Sequence, residues 1–166
     1  MSESFDLKPL SAAAVTEAIH RAEHYRLLNE PEQAESICLD VLEASPGNQQ
    51  ALVVLILAMT DQFSGRGPSP GVKKAGEFVE KLESEYQRHY YSGLICERQA
   101  RAVLTRRMAG VFAYDGLRDA MDWYEKAEAM RPAGVDDAIL RWNSCVRTIA
   151  RENLRPRPDA GELPLE

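Results

Sequence analysis

Apolar residues recur along this chain with the period of a helix. Between Pro31 and Ser45, the positions Ala34, Ile37, Cys38, Val41 and Leu42 fall at i, i+3, i+4, i+7 and i+8, which makes one continuous stripe on a helical surface. Pro31 fits the first turn, where its missing N–H costs nothing, and Ser45-Pro46-Gly47 supplies the stop. The same spacing predicts about seven helices, near 11–29, 31–45, 48–62, 72–88, 90–108, 116–131 and 136–152. Val72, Ala75, Val79, Leu82 and Tyr86 form the stripe of the fourth, and Leu117, Ala120, Tyr124 and Ala127 that of the sixth. No β-branched run alternates with polar residues, so the expectation is an all-α chain. The third helix is apolar on every side from Ala51 to Met59 and should therefore lie in the middle of a stack. Turn-formers fill Ser64-Gly-Arg-Gly-Pro-Ser-Pro-Gly71, which reads as a loop. The organisation expected is an N-terminal extension at 1–10, a helical domain at 11–152 and a flexible tail at 153–166, where Pro156, Pro158 and Pro164 accompany few apolar residues.

The stripes repeat. Ala34-x3-Cys38-x2-Val41-x4-Pro46 aligns with Ala120-x3-Tyr124-x2-Ala127-x4-Pro132, and Ala75-x3-Val79-x2-Leu82 reproduces the first three positions. This pattern resembles the second helix of a tetratricopeptide (TPR) motif. In that motif a small residue lets two antiparallel helices approach, a large one fills the groove and proline ends the helix. Ala22 and Tyr25 stand where the first helix of the family has its small residue and its tyrosine. Leu52, Leu55, Ile56 and Met59 supply apolar equivalents in the next repeat, with Ile56 replacing the usual small residue. Arg107 falls on a site the family keeps apolar. The second helices are 41 and 45 residues apart, against a family period of about 34. The resemblance implies three divergent helix pairs and a capping seventh helix, wound into a superhelix (an α-α solenoid).

Composition narrows the function. The 166 residues are 45% hydrophobic and 28% charged, as in a globular chain that can bury a core. A formal net charge of -6 argues against nucleic acid, whose phosphates need a clustered cationic face. The first ten residues carry Glu3 and Asp6 and lack a basic start followed by an apolar core, so no signal peptide is expected. The Ala51–Met59 run is about half the length needed to span a bilayer, so no membrane association is expected. Cys38, Cys96 and Cys145 are odd in number and far apart. They read as reduced core thiols of a cytoplasmic protein.

Three motifs invite chemistry. His20-Arg21-Ala22-Glu23-His24 spells H-x-x-E-H, the pattern of inverted zinc peptidases, in which two histidines one turn apart share a metal and the glutamate acts as base. The chain offers no strands to frame a substrate, and the competing reading is a solvated helix face. Gly65-x-Gly67 resembles a nucleotide fingerprint, but Pro70 stands where the third glycine belongs. Arg98, Arg101, Arg106 and Arg107 form the one basic cluster, with Arg98 and Arg101 pointing away from the stripe Cys96, Ala100, Val103, Leu104. That cluster reads either as an ordinary charged face answered by Glu97 or as a patch for an acidic peptide or terminal carboxylate. The two-carboxylate clamp of some TPR proteins is missing, since the aligned sites hold Ile19, Glu23 and Val54, with only Arg106 matching.

No catalytic site or cofactor is expected. The TPR resemblance implies a groove lined by the first helix of each pair: Ile19, Glu23, Val53, Leu57, Thr105 and Ala109, with Asn143 or Val146 from the last helix. Such a mildly apolar groove suits an amphipathic helix or an extended apolar peptide. The expected function is that of a non-enzymatic adaptor binding a protein or peptide, with a small TPR chaperone for hydrophobic secretion substrates as the alternative.

Overall fold

The structure, a computed structural model, describes residues 4–64, 70–105 and 110–158. Within them the chain is all-α. A 3-10 turn at Ala12–Ala14 leads into α1 (Val15–Leu27), α2 (Pro31–Ala44), α3 (Gln49–Asp61), α4 (Pro70–Val79), α5 (Glu85–Leu104), α6 (Gly110–Ala129) and α7 (Asp137–Arg151). Among the described residues there is no strand, and no helix is long and apolar enough to cross a membrane. The glycine- and proline-rich stretch read as a loop falls mostly on 65–69, outside the described residues, and its last two residues, Pro70 and Gly71, open α4 instead.

Local chemistry sets the helix ends. Pro31 opens α2, as its position in the sequence implied. The Asn48 side chain accepts a hydrogen bond from the Ala51 N–H at 3.0 Å and caps α3. Asn29 turns the chain out of α1 at φ 60°, and the Glu30 N–H returns to the Tyr25 carbonyl at 2.9 Å. This left-handed exit satisfies a carbonyl of the last turn.

Each helix packs against its neighbours in sequence, and α3 also touches both α1 and α5. Being surrounded in this way explains why α3 can be apolar all round: Ala51, Leu52, Val54, Leu55, Ile56, Ala58 and Met59 are all buried. One core joins α1 to α4 with Ile95 of α5. A second joins Ala100 of α5 to α6, α7 and Leu154. The α5 helix thus belongs to both cores. The small residues of the repeat, Ala22, Ala34, Ala75 and Ala120, are fully buried.

Three boundaries differ from the sequence reading. The fourth helix ends at Val79, not near 88, and the fifth begins at Glu85. The turn between them is held from both sides. Gln49 donates through Nε2 to the Lys81 carbonyl at 3.3 Å and accepts the Glu83 N–H at 2.9 Å, while Arg88 donates to the Leu82 carbonyl at 2.6 Å. Ser84 then caps α5 by accepting the Gln87 N–H at 3.2 Å. The sixth helix begins at Gly110, six residues before the expected start, because Ala113 extends the buried stripe of Leu117 and Ala120 by one turn. The packed chain runs past α7: Asn153 adopts φ 49°, the Leu154 N–H donates to the Ile149 carbonyl at 3.0 Å, and Leu154 is only 9% exposed.

The register of the α5/α6 pair also departs from expectation. Counting back from Ala120 by the family spacing puts the crossing of the paired helix near 105–109. In the structure the crossing residue is Gly93, where an added Cβ would lie 2.7 Å from Tyr124 Cε1 and 3.2 Å from the Ala120 carbonyl. A second close approach sets Gly116 against Ala100, with 2.9 Å left for a Cβ. The two helices, Glu85–Leu104 and Gly110–Ala129, are 20 residues each, and both start five or six residues earlier than the sequence spacing placed them.

Candidate functional site

The outward side of α3 is one narrow stripe. Between Ala51 and Thr60 only Val53 and Leu57 escape full burial, and with Gln50 and Asp61 they fall at i, i+3, i+7 and i+11. That spacing places all four on one face. The stripe has an apolar middle and two polar ends, each tied to a neighbouring helix. At one end Gln50 Nε2 donates to Glu23 Oε1 of α1 at 3.5 Å. At the other, Asp61 accepts from Arg26 of α1 (Nε at 2.7 Å, Nη2 at 3.3 Å) and from Arg98 of α5 (Nη1 at 3.3 Å). Asp61 ends α3, where the helix dipole disfavours an anion. Two guanidiniums offset that cost. The span from Gln50 to Asp61 is about 16 Å at the helical rise per residue.

The residues expected to line a groove divide by their surroundings. Val53 and Leu57 are half-buried at the centre of the stripe, and Glu23 is exposed beside it. Ile19 is 3% exposed and lies in the core beneath α1, where it packs instead of presenting a surface. Thr105 is exposed, but its hydroxyl donates to the Ala102 carbonyl at 2.8 Å, and it sits about 18 Å along the helix from the Gly93 crossing. Asn143 is half-buried on α7 and Val146 exposed. Arg106 and Ala109 lie outside the described residues, as does Arg107.

Of the basic cluster, the described Arg98 and Arg101 are divided between two sites. Arg98 turns to Asp61. Arg101 turns the other way and is held at three points: Nε on Glu97 Oε1 at 2.8 Å, Nη1 on Thr148 Oγ1 at 2.9 Å and Nη2 on Ser144 Oγ at 2.9 Å. Glu97 is fully buried, accepts the Tyr124 hydroxyl at 2.6 Å and has Arg141 3.5 Å away. Arg101 therefore ties α5 to α7 through the Ser144 and Thr148 hydroxyls while the buried Glu97 of its own helix holds it in place, and it does not form a free cationic face with Arg98. Burial, together with the Glu97 charge and hydrogen bond, pushes the Tyr124 phenol upward and keeps it a donor.

His20 and His24 stand on the exposed side of α1, where with Glu17, Arg21, Tyr25 and Leu28 they line a shallow cleft of about 370 Å³. Among the described residues no three His, Cys, Asp or Glu side chains converge as a metal would require. The three thiols are free and sheltered. Burial pushes Cys38 and Cys145 up to about 12 and Cys96 to about 11, so they are held as protonated, unreactive groups.

Residues the sequence reading passed over are Gln50, Asp61 and Arg26. For two of them a signal was present, since Gln50 and Asp61 continue the Val53–Leu57 spacing as polar residues at the two ends of α3; Arg26 carried none. Compared with known proteins, the chain matches no family model, no curated protein and no solved structure.

Proposed function

We propose that this chain is a non-enzymatic interaction module of the TPR type, which receives a segment of a partner protein across α1, α3 and α5. The observation that carries the reading is the α3 stripe: half-buried Val53 and Leu57 lie between two polar bridges, on a helix flanked by two others. A partner segment with apolar side chains at its centre and polar groups at its ends complements that order. In a TPR superhelix α1, α3, α5 and α7 would line the concave side, and the contacts of α3 with α1 and α5 fit that arrangement. The bridges add a second property. The Arg26–Asp61–Arg98 bridge ties α1, α3 and α5 together before a partner arrives, which lowers the ordering cost of binding.

The test is affinity capture from the native cell with mass spectrometry of the proteins retained, run in parallel with Leu57→Glu. A partner retained by the wild type and lost by the variant supports the reading. Retention of the same proteins by both moves the binding surface elsewhere.

A further inference from the structure

We infer that the cleft at Arg26, Asp61 and Arg98 is a carboxylate-binding pocket, which fixes one end of the partner segment proposed above and rests on that proposal. The cleft encloses about 290 Å³ and is lined by Arg26, Leu27, Asn29, Pro31, Asp61 and Arg98. Residues of α1, α2, α3 and α5 build it, and the charges that line it do not cancel. Two guanidiniums share the single Asp61 carboxylate, leaving one positive charge in a chain of net charge -6. Donors remain as well. A guanidinium carries five N–H groups; Arg26 spends Nε–H and one Nη2 hydrogen on Asp61, and Arg98 spends one Nη1 hydrogen. The side chains are 22% and 31% exposed, enough for a ligand oxygen to reach them while Asp61 holds the forks in place.

The rest of the lining defines the ligand further. Leu27 is 85% exposed at the rim and offers an apolar contact next to the charge. Glu30 and Glu32 line an adjoining cleft that shares Asn29 and Pro31, so a carboxylate wall begins where the pocket ends. A polyanion such as a phosphate would meet that wall, whereas a single carboxylate fits between. The ligand is thus a carboxylate with an apolar side chain beside it, supplied either by a chain terminus or by an aspartate or glutamate within a segment.

The experiment follows the arginine Nε–Hε signals of the ¹⁵N-labelled full chain by NMR. Three probes are titrated: N-acetyl-leucine, whose carboxylate is terminal; N-acetyl-aspartyl-leucine amide, whose carboxylate is a side chain; and N-acetyl-leucine amide, which has none. Saturable shifts of both Arg26 and Arg98 with either acid, and none with the amide, are expected; the acid that binds more tightly identifies the source. Arg98→Gln should weaken that binding about tenfold or more, the loss of a charge-assisted hydrogen bond, and Arg98→Lys should fall between the two. Melting curves of both variants establish that they are folded, and Arg98→Lys carries the comparison if Arg98→Gln is not. Equal shifts with the neutral amide, no saturable shift with any probe, or wild-type affinity in the folded variant would each overturn the pocket. A partner captured through Leu57 that binds Arg98→Gln normally would remove the pocket and leave the interaction module standing.

Discussion

Replacing Tyr124 by Phe removes one hydroxyl from the joint between α5, α6 and α7 and changes nothing else in shape. The ring is fully buried and stays, so no cavity opens. What is lost is the 2.6 Å hydrogen bond to Glu97 Oε2, a carboxylate with no exposed surface. Hydrogen bonds to charged groups contribute about 1.5–3 kcal/mol, because the buried acceptor left behind keeps its desolvation cost. Glu97 would retain Arg101 at 2.8 Å and Arg141 at 3.5 Å, which holds the loss within that range. At about 2–4 °C per kcal/mol for a chain of this size, the melting temperature should fall by about 3–12 °C. Urea unfolding is the assay, with the midpoint lowered and the slope unchanged. A double-mutant cycle isolates the contact: in a Glu97→Met background, which has no carboxylate to receive the hydroxyl, Tyr124→Phe should cost close to nothing. A loss under about 0.5 kcal/mol in the wild-type background, or the same loss in both, would refute the reasoning.

Other expectations follow from the packing and the thiols. Gly93→Ala drives a methyl into Tyr124 and should destabilise by about 1–3 kcal/mol. Gly76→Ala, with nothing within 4 Å and a place inside α4, should be neutral or stabilising by up to about 1 kcal/mol; comparing the two by urea unfolding checks the register of α5 on α6. Ser84→Ala removes the cap of α5 and should cost about 0.5–2 kcal/mol in the same assay. The buried thiols ionise in the folded chain near 11 or 12 but ordinarily near 9.0, so their folded values lie above their unfolded ones. The stability they contribute is therefore complete below pH 9 and declines as pH rises from there toward 12, measurable as a falling urea midpoint. At pH 8 a thiol reagent should modify Cys38 and Cys145 only as fast as the native chain opens; rapid reaction at either one without unfolding would contradict their burial.

The helices were legible because burial follows the 3.6-residue period, and Ala34, Ala75 and Ala120, the small residues of those stripes, are all fully buried. The α4–α5 turn was hidden by the same regularity. Val72, Ala75, Val79, Leu82 and Tyr86 keep helical spacing straight through the break, since Leu82 is buried although it lies in a turn. The signal that marks the break is the Ser84-x-x-Gln87 cap, which local chemistry reveals and periodicity does not. Gly93 was missed as a crossing residue because the fifth helix was placed at 90–108 and not at Glu85–Leu104, which put Thr105 inside the helix when it stands at its C-terminal end. In the site, Val53 and Leu57 were readable from the spacing of α3. The bridges were not, because Arg26, Asp61 and Arg98 are 35 and 37 residues apart and meet only through the packing of three helices.

The central claim is that the α3 stripe receives a partner, and one measurement addresses it directly. Affinity capture from the native cell is run with the wild type and with Leu57→Glu, after circular dichroism has shown equal helix content and equal melting for the two. Proteins retained by the wild type and lost by the folded variant are the predicted result. Identical retained proteins, or none retained by the wild type above a blank support, would contradict the account.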